Sequence, residues 1–200
     1  RQVGRTVCAA FGIEQRKATF AMRIVPSLLC VLICIASAMA DDGSGAQVTA
    51  RLADLAEKHD VAALRAGLDQ GVDVNASQVD GMTALHWAVY HDDEALSRLL
   101  VEAGADVAAV NRYSVPPLSI ACLNGKPAIV EMLLEAGADP RTRLPGGETV
   151  LMTAARTGRI GSVKALLARG ADVNAREHHN QTALMWVAAE GNLAVVDALI

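Results

Sequence analysis

The chain has 200 residues, of which 52% are hydrophobic but only 3% aromatic, and it carries a formal net charge of −4. Three of its four cysteines, Cys8, Cys30 and Cys34, precede Ala40, so Cys122 stands alone beyond it and neither an internal disulfide nor a cysteine-based zinc site is available there. After Ala40, thirteen basic residues stand against twenty-one acidic ones, a balance of −8 that argues against nucleic acid, whose binding rests on neutralising phosphates.

Residues 1–21 begin without Met and show no clear pattern; they read as an over-long gene start ahead of Met22. Met22-Arg23 then leads into an apolar run from Ile24 to Ala36, followed by Ser37-Ala38-Met39-Ala40 and the acidic Asp41-Asp42. This order of charge, apolar core and small residues predicts a secretory signal peptide over 22–40, cleaved after Ala40. A retained membrane anchor is the alternative, but the run is shorter than the roughly 20 residues that span a bilayer. A lipoprotein site fits less well, because Ile33 precedes Cys34 where a small residue is wanted. Asp41-Asp42-Gly43-Ser44-Gly45 opens a short flexible linker over 41–49.

From residue 50 onward the chain is periodic. Gly71-Val72-Asp73-Val74-Asn75-Ala76 is echoed by Gly104-Ala105-Asp106-Val107-Ala108-Ala109, by Gly137-Ala138-Asp139-Pro140 and by Gly170-Ala171-Asp172-Val173-Asn174-Ala175, at a constant spacing of 33 residues. Twelve residues after each glycine comes a second phrase: Thr83-Ala84-Leu85-His86, Pro116-Pro117-Leu118-Ser119, Thr149-Val150-Leu151-Met152 and Thr182-Ala183-Leu184-Met185. A fixed period of this length marks a repeat array. Within a copy, Leu85, Ala88 and Val89, then Leu96, Leu99 and Leu100, are apolar at helical spacing, and the polar break His91-Asp92-Asp93 splits them into two short amphipathic helices. Thr starts the first helix as an N-cap, while Gly125, Gly158 and Gly191 suit left-handed turns between the helices. Residues 50–76 carry the helix pattern without the Thr-x-Leu-His phrase and read as an atypical capping repeat. Full repeats start near 83, 116, 149 and 182, and the last is expected to be truncated inside its second helix.

Two phrases in register over four copies resemble the ankyrin-repeat family, over residues 50–200. The resemblance implies an all-α solenoid of stacked helix-turn-helix units with short β-turn loops, with stability coming from neighbours stacked into one core. It also implies that His86, at the family's Thr-x-x-His position, is structural and bonds near the helix start.

Nothing in the sequence points to catalysis, a cofactor or a metal. No nucleophile elbow, phosphate-binding glycine loop or His-Glu-x-x-His motif is present. His178-His179 are adjacent loop residues that do not converge on one ion. Trp87 and Trp186 share one repeat position, three repeats apart, which favours packing in the core or groove. The resemblance places loop tips and the exposed side of each first helix on a concave binding face. Val79, Asp80, Met82, Tyr90 and His91 fall there from the first full repeat, then Arg112, Tyr113, Val115, Leu123 and Asn124 from the next. Glu148, Arg156 and Thr157 follow, and His178, His179, Gln181 and Glu190 complete the set. These positions vary between copies while the framework phrases stay fixed, and Tyr90, Arg112 and Tyr113 are the expected anchors, since Tyr and Arg are enriched at hot spots. The expectation is an exported, non-enzymatic module, periplasmic or secreted, that binds a protein partner on this face. The alternatives are a targeting arm for a catalytic domain beyond Ile200, and a plain spacer.

Overall fold

The computed structural model describes residues 52–200. The leader, signal peptide and linker expected over residues 1–49 lie outside the described residues. Among the described residues ten helices follow one another in pairs: α1 (Leu52–Glu57) with α2 (Val61–Asp69), α3 (Ala84–Tyr90) with α4 (Glu94–Glu102), α5 (Pro117–Asn124) with α6 (Pro127–Glu135), α7 (Val150–Arg156) with α8 (Ile160–Ala168), and α9 (Ala183–Glu190) with α10 (Leu193–Leu199). First helices α1, α3, α5, α7 and α9 stack on one another, and second helices α4, α6, α8 and α10 form a parallel layer beside them. The expected all-α solenoid is the architecture observed. Among the described residues, no helix is long and apolar enough to cross a membrane.

The apolar positions that recur at helical spacing form one continuous core. Leu85, Ala88, Val89, Leu96 and Leu100 of one repeat meet Leu118, Ala121, Ile129, Val130 and Leu133 of the next, and Leu151, Ala154, Val163 and Leu166 extend the seam. None of these helices exceeds nine residues, a length at which an isolated helix is marginal in water, so tertiary burial holds them. The alanines at Ala88, Ala121 and Ala154 let neighbouring helices approach, which is why a core with so few aromatics still closes.

Each linking loop is built the same way. The aspartate of the glycine phrase turns its carboxylate onto the amide two residues ahead: Asp73 accepts from Asn75 N–H, Asp106 from Ala108, Asp139 from Arg141 and Asp172 from Asn174. These side-chain turns fix the chain's departure from the second helix. Further on, each tip is closed by paired backbone bonds. The amides of Gln78, Asn111, Leu144 and Glu177 donate to the carbonyls of Met82, Val115, Glu148 and Gln181, and a second bond returns to each of the same four residues from Gly81, Ser114, Gly147 and Asn180. That returning residue lies in the left-handed region in every copy, at φ of 82°, 56°, 78° and 68°. Glycine adopts it freely and Asn tolerates it, whereas Ser114 is strained there.

Candidate functional site

Loop tips and first helices form one face of the array. Its conformation is set by bonds within each tip and between adjacent repeats. Asn111 Oδ1 accepts from the amides of Tyr113 and Val115 at 2.9 and 3.1 Å, and Glu177, at the same repeat position, accepts from Gln181 N–H at 3.1 Å and from His179 Nδ1 at 3.0 Å. Hydrogen bonds, led by the His179 backbone amide, hold the Glu177 carboxyl below its usual range. Adjacent tips are joined where Arg112 N–H donates to the Asp80 carbonyl at 2.8 Å.

At the foot of the second tip, His86 is fully buried. Its Nδ1 accepts from Thr83 N–H at 3.2 Å and lies 2.8 Å from Thr83 Oγ1, while Nε2 donates to the Val115 carbonyl of the next repeat at 3.1 Å. A carbonyl can only accept, so the proton sits on Nε2 and the imidazole is neutral. Desolvation lowers the pKa, against smaller opposing contributions from the Val115 carbonyl and Asp80. The bonds to Thr83 at the helix start are those the resemblance implied, and the bond to Val115 makes the ring a strut between repeats as well. Thr149 caps α7 by the same geometry with Met152 Sδ in the place of the imidazole, but Thr182, also an N-cap, makes no side-chain cap bond. The side-chain cap expected of Thr182 is therefore not made at the start of α9.

The predicted site residues divide into three groups. Val79 (86% exposed), Tyr90 (58%), Tyr113 (66%) and Leu123 (54%) are large apolar side chains left open to solvent, and Arg112, Arg156, His178, His179, Gln181 and Glu190 are exposed with them. A second group links repeats. Asn124 Nδ2 faces the Val89 carbonyl at 3.1 Å, that of Tyr90 at 3.2 Å and the Asp92 carboxylate at 3.0 Å. At the same repeat position, His91 Nε2 donates to the Glu57 carbonyl at 3.1 Å, and Thr157 Oγ1 lies 3.3 Å from the Cys122 carbonyl. Val115, Asp80 and Glu148 are half-buried. Met82 is the correction: it is only 9% exposed, because its thioether lies beneath the next tip with Asn111 Nδ2 at 3.5 Å from Sδ.

Two clefts lie on this face. One, of about 370 Å³, is lined by Glu148, Arg156, Gln181, Met185, Trp186 and Glu190. Arg156 sits 5.8 Å over the Trp186 ring, and the indole N–H donates to Gln181 Oε1 at 2.8 Å. The other, of about 390 Å³, is lined by Asp54, Gln78, Val79, Asp80 and Arg112. Beside it Trp87 donates to Gln78 Oε1 at 2.8 Å and packs edge-on against Tyr90 at 5.6 Å. Sequence reasoning missed Asp54, Gln78 and Met185 as lining residues. For Asp54 a signal existed, since it stands 33 residues before Trp87, on the same side of a first helix. For both tryptophans the shared position left core and groove open, and each indole is half-buried beside a cleft.

Among the described residues, no group of three or more His, Cys, Asp or Glu side chains is arranged to hold a metal ion. Cys122 is buried at the centre of the array, and desolvation pushes its thiol up to about 12, far from a nucleophile's range. The face offers aromatic and apolar surface, open carboxylates and arginines on a fixed backbone, which is equipment for holding a partner.

No curated protein matches the chain. The family model for ankyrin repeats, in three copies, matches residues 52–143 and again 118–200. With the stacked helix pairs, the paired backbone bonds of the tips and the Thr83–His86 capping pair, this establishes that the chain belongs to the ankyrin-repeat family.

Proposed function

We propose that this array is a non-enzymatic module, exported to the periplasm or the cell exterior, that holds a protein partner on the face of tips and first helices. Protein–protein interaction is the general work of ankyrin repeats, and such domains are typically non-catalytic. The observation that carries the reading here is the exposure of Val79, Tyr90, Tyr113 and Leu123 on elements fixed by bonds within and between repeats. Exposed apolar side chains on a preorganised backbone lower the ordering cost of association. Export is supported by the charge, apolar core and small residues of 22–40.

Two measurements test this. Replacing Tyr90, Arg112 and Tyr113 together by Ala is expected to abolish capture of a partner from a cell-envelope extract while leaving circular dichroism and the melting midpoint unchanged, since hot-spot truncations cost at least about 2 kcal/mol each. The same change at Glu102, Glu135 and Lys164 on the second helices is expected to leave capture intact; the reverse pattern overturns the assignment of the face. Expressed from Met22 in a Gram-negative host, the protein is expected in the periplasm with Asp41 at its N-terminus by intact mass. A membrane-bound species that keeps residues 24–40 overturns the export reading.

A further inference from the structure

Charge is divided unevenly along the array. From Leu52 to Asn111 there are eleven acidic and three basic residues, whereas from Arg112 to Ile200 there are eight acidic and nine basic. The acidic part therefore carries −8 and the remainder +1. On the binding face this excess meets the exposed aromatic and apolar surface. Asp54 and Glu57 both accept from one neutral donor, Gln78 Nε2, at 2.8 and 2.7 Å, and neither forms an ion pair among the described residues. Asp80 turns one oxygen to Met82 N–H and likewise has no cationic partner there. The one basic side chain lining this cleft, Arg112, donates to the Val79 carbonyl at 3.4 Å and not to a carboxylate. Beside these acids stand the Trp87–Tyr90 edge-on pair and, one repeat on, Tyr113 and Leu123.

We propose that this N-terminal part of the face docks an extended, basic segment of a protein partner, its Lys or Arg side chains on Asp54, Glu57 and Asp80 and its apolar side chains on Tyr90, Tyr113 and Leu123. The inference rests on the reading of this face as a protein-docking surface and names the chemistry of what it docks. Carboxylates held in place by a neutral amide present charge that only an incoming cation neutralises, and an aromatic wall beside them adds cation–π attraction for the same groups. An extended segment suits the layer spacing. Helix layers repeat at roughly 8 to 10 Å, and a segment extended as a polyproline II helix rises about 3.1 Å per residue with about three residues per turn, so every third side chain lies on one side and meets the next repeat.

The test uses three synthetic 12-residue peptides with this period, Lys-Ser-Leu repeated four times and its Glu-Ser-Leu and Gln-Ser-Leu counterparts, titrated into the protein by calorimetry at low salt. The lysine peptide is expected to bind at least tenfold more tightly than the glutamine peptide, and the glutamate peptide not at all. The triple variant Asp54→Asn, Glu57→Gln, Asp80→Asn keeps every acceptor oxygen that Gln78 and Met82 use, so it is expected to fold and to lose at least tenfold in affinity for the lysine peptide. Neutralising three acids of the second-helix side, Asp69→Asn, Glu94→Gln and Glu102→Gln, is expected to cost less than threefold. Equal losses in the two triple variants, or binding of the glutamate peptide as tight as that of the lysine peptide, overturn the proposal, as does the absence of any binding. If the glutamine peptide binds as well as the lysine peptide and Tyr90→Ala abolishes both, the docking surface stands and the basic partner falls.

Discussion

At the scale of single residues, side chains of one repeat position are put to different uses. His86, Ser119, Met152 and Met185 share a place in the second phrase, yet only His86 is a ring bonded both to its own helix start and to the next repeat. Its burial as a neutral imidazole has a consequence for pH. Desolvation lowers the folded-state pKa below the ordinary imidazole value of about 6.5, so the unfolded chain binds the proton more readily. The stabilisation is therefore complete above about pH 6.5 and is lost as pH falls from there towards the lowered folded value. Urea midpoints are expected to hold level from pH 8 to 7 and to decline between pH 6.5 and 5.5, and the decline is expected to flatten in His86→Gln. An undiminished slope in that variant assigns the loss to other groups. The capping half of the His86 role was readable from Thr83-Ala84-Leu85-His86, because Thr83 lies within the phrase, whereas the bond to Val115 belongs to the next repeat. The burial of Met82 was not, since the group that covers it, Asn111, belongs to the next repeat and only stacking brings it near.

At the scale of elements, α5 is the least conventionally capped of the first helices. Thr83 and Thr149 accept from the amides of His86 and Met152, whereas Pro116 offers no side-chain acceptor and the Ser119 amide turns to the Pro116 carbonyl at 3.0 Å. The backbone of Pro116, at φ −85° and ψ 163°, lies close to that of Thr149 at −94° and 157°, so a threonine fits there without rearrangement. Pro116→Thr is expected to raise stability by up to about 1 kcal/mol and Thr149→Ala to lower it by about the same amount. Paired urea melts check both; a loss in Pro116→Thr shows that the first pyrrolidine ring packs productively. Helix existence and loop position were legible in the sequence because a 33-residue period repeats the same local signals four times. The face itself was legible only as a set of positions. Whether the side chain at 91, 124 or 157 turns to solvent or back to the preceding repeat depends on the offset between layers, and the bonds that decide it span 32 to 35 residues of sequence.

At the scale of the whole molecule, the first helices touch their neighbours and the second helices theirs, so stability is close to a sum of repeat and interface contributions. A defect in the middle is then felt on both sides. Leu118 lies in α5 with 1% exposure, between α3 and α7, and Cys122 one turn further along the same helix is fully buried. The thiol, pushed up to about 12 by desolvation, is neither accessible nor ionised while the centre is closed, which makes it a reporter of opening. Leu118→Ala is expected to cost about 2 to 5 kcal/mol through cavity formation, and Arg112→Ala, on an exposed tip, under about 0.5 kcal/mol. At about 1.4 kcal/mol per factor of ten, the first change corresponds to at least roughly thirtyfold faster alkylation of Cys122 by iodoacetamide under native conditions and the second to about twofold or less. A rate in Leu118→Ala that stays within twofold of the parent protein shows that Cys122 is reached by a local breathing of α5 that does not require separating it from α3 and α7. In that case the array opens one helix at a time, and the centre is no more cooperative than its ends.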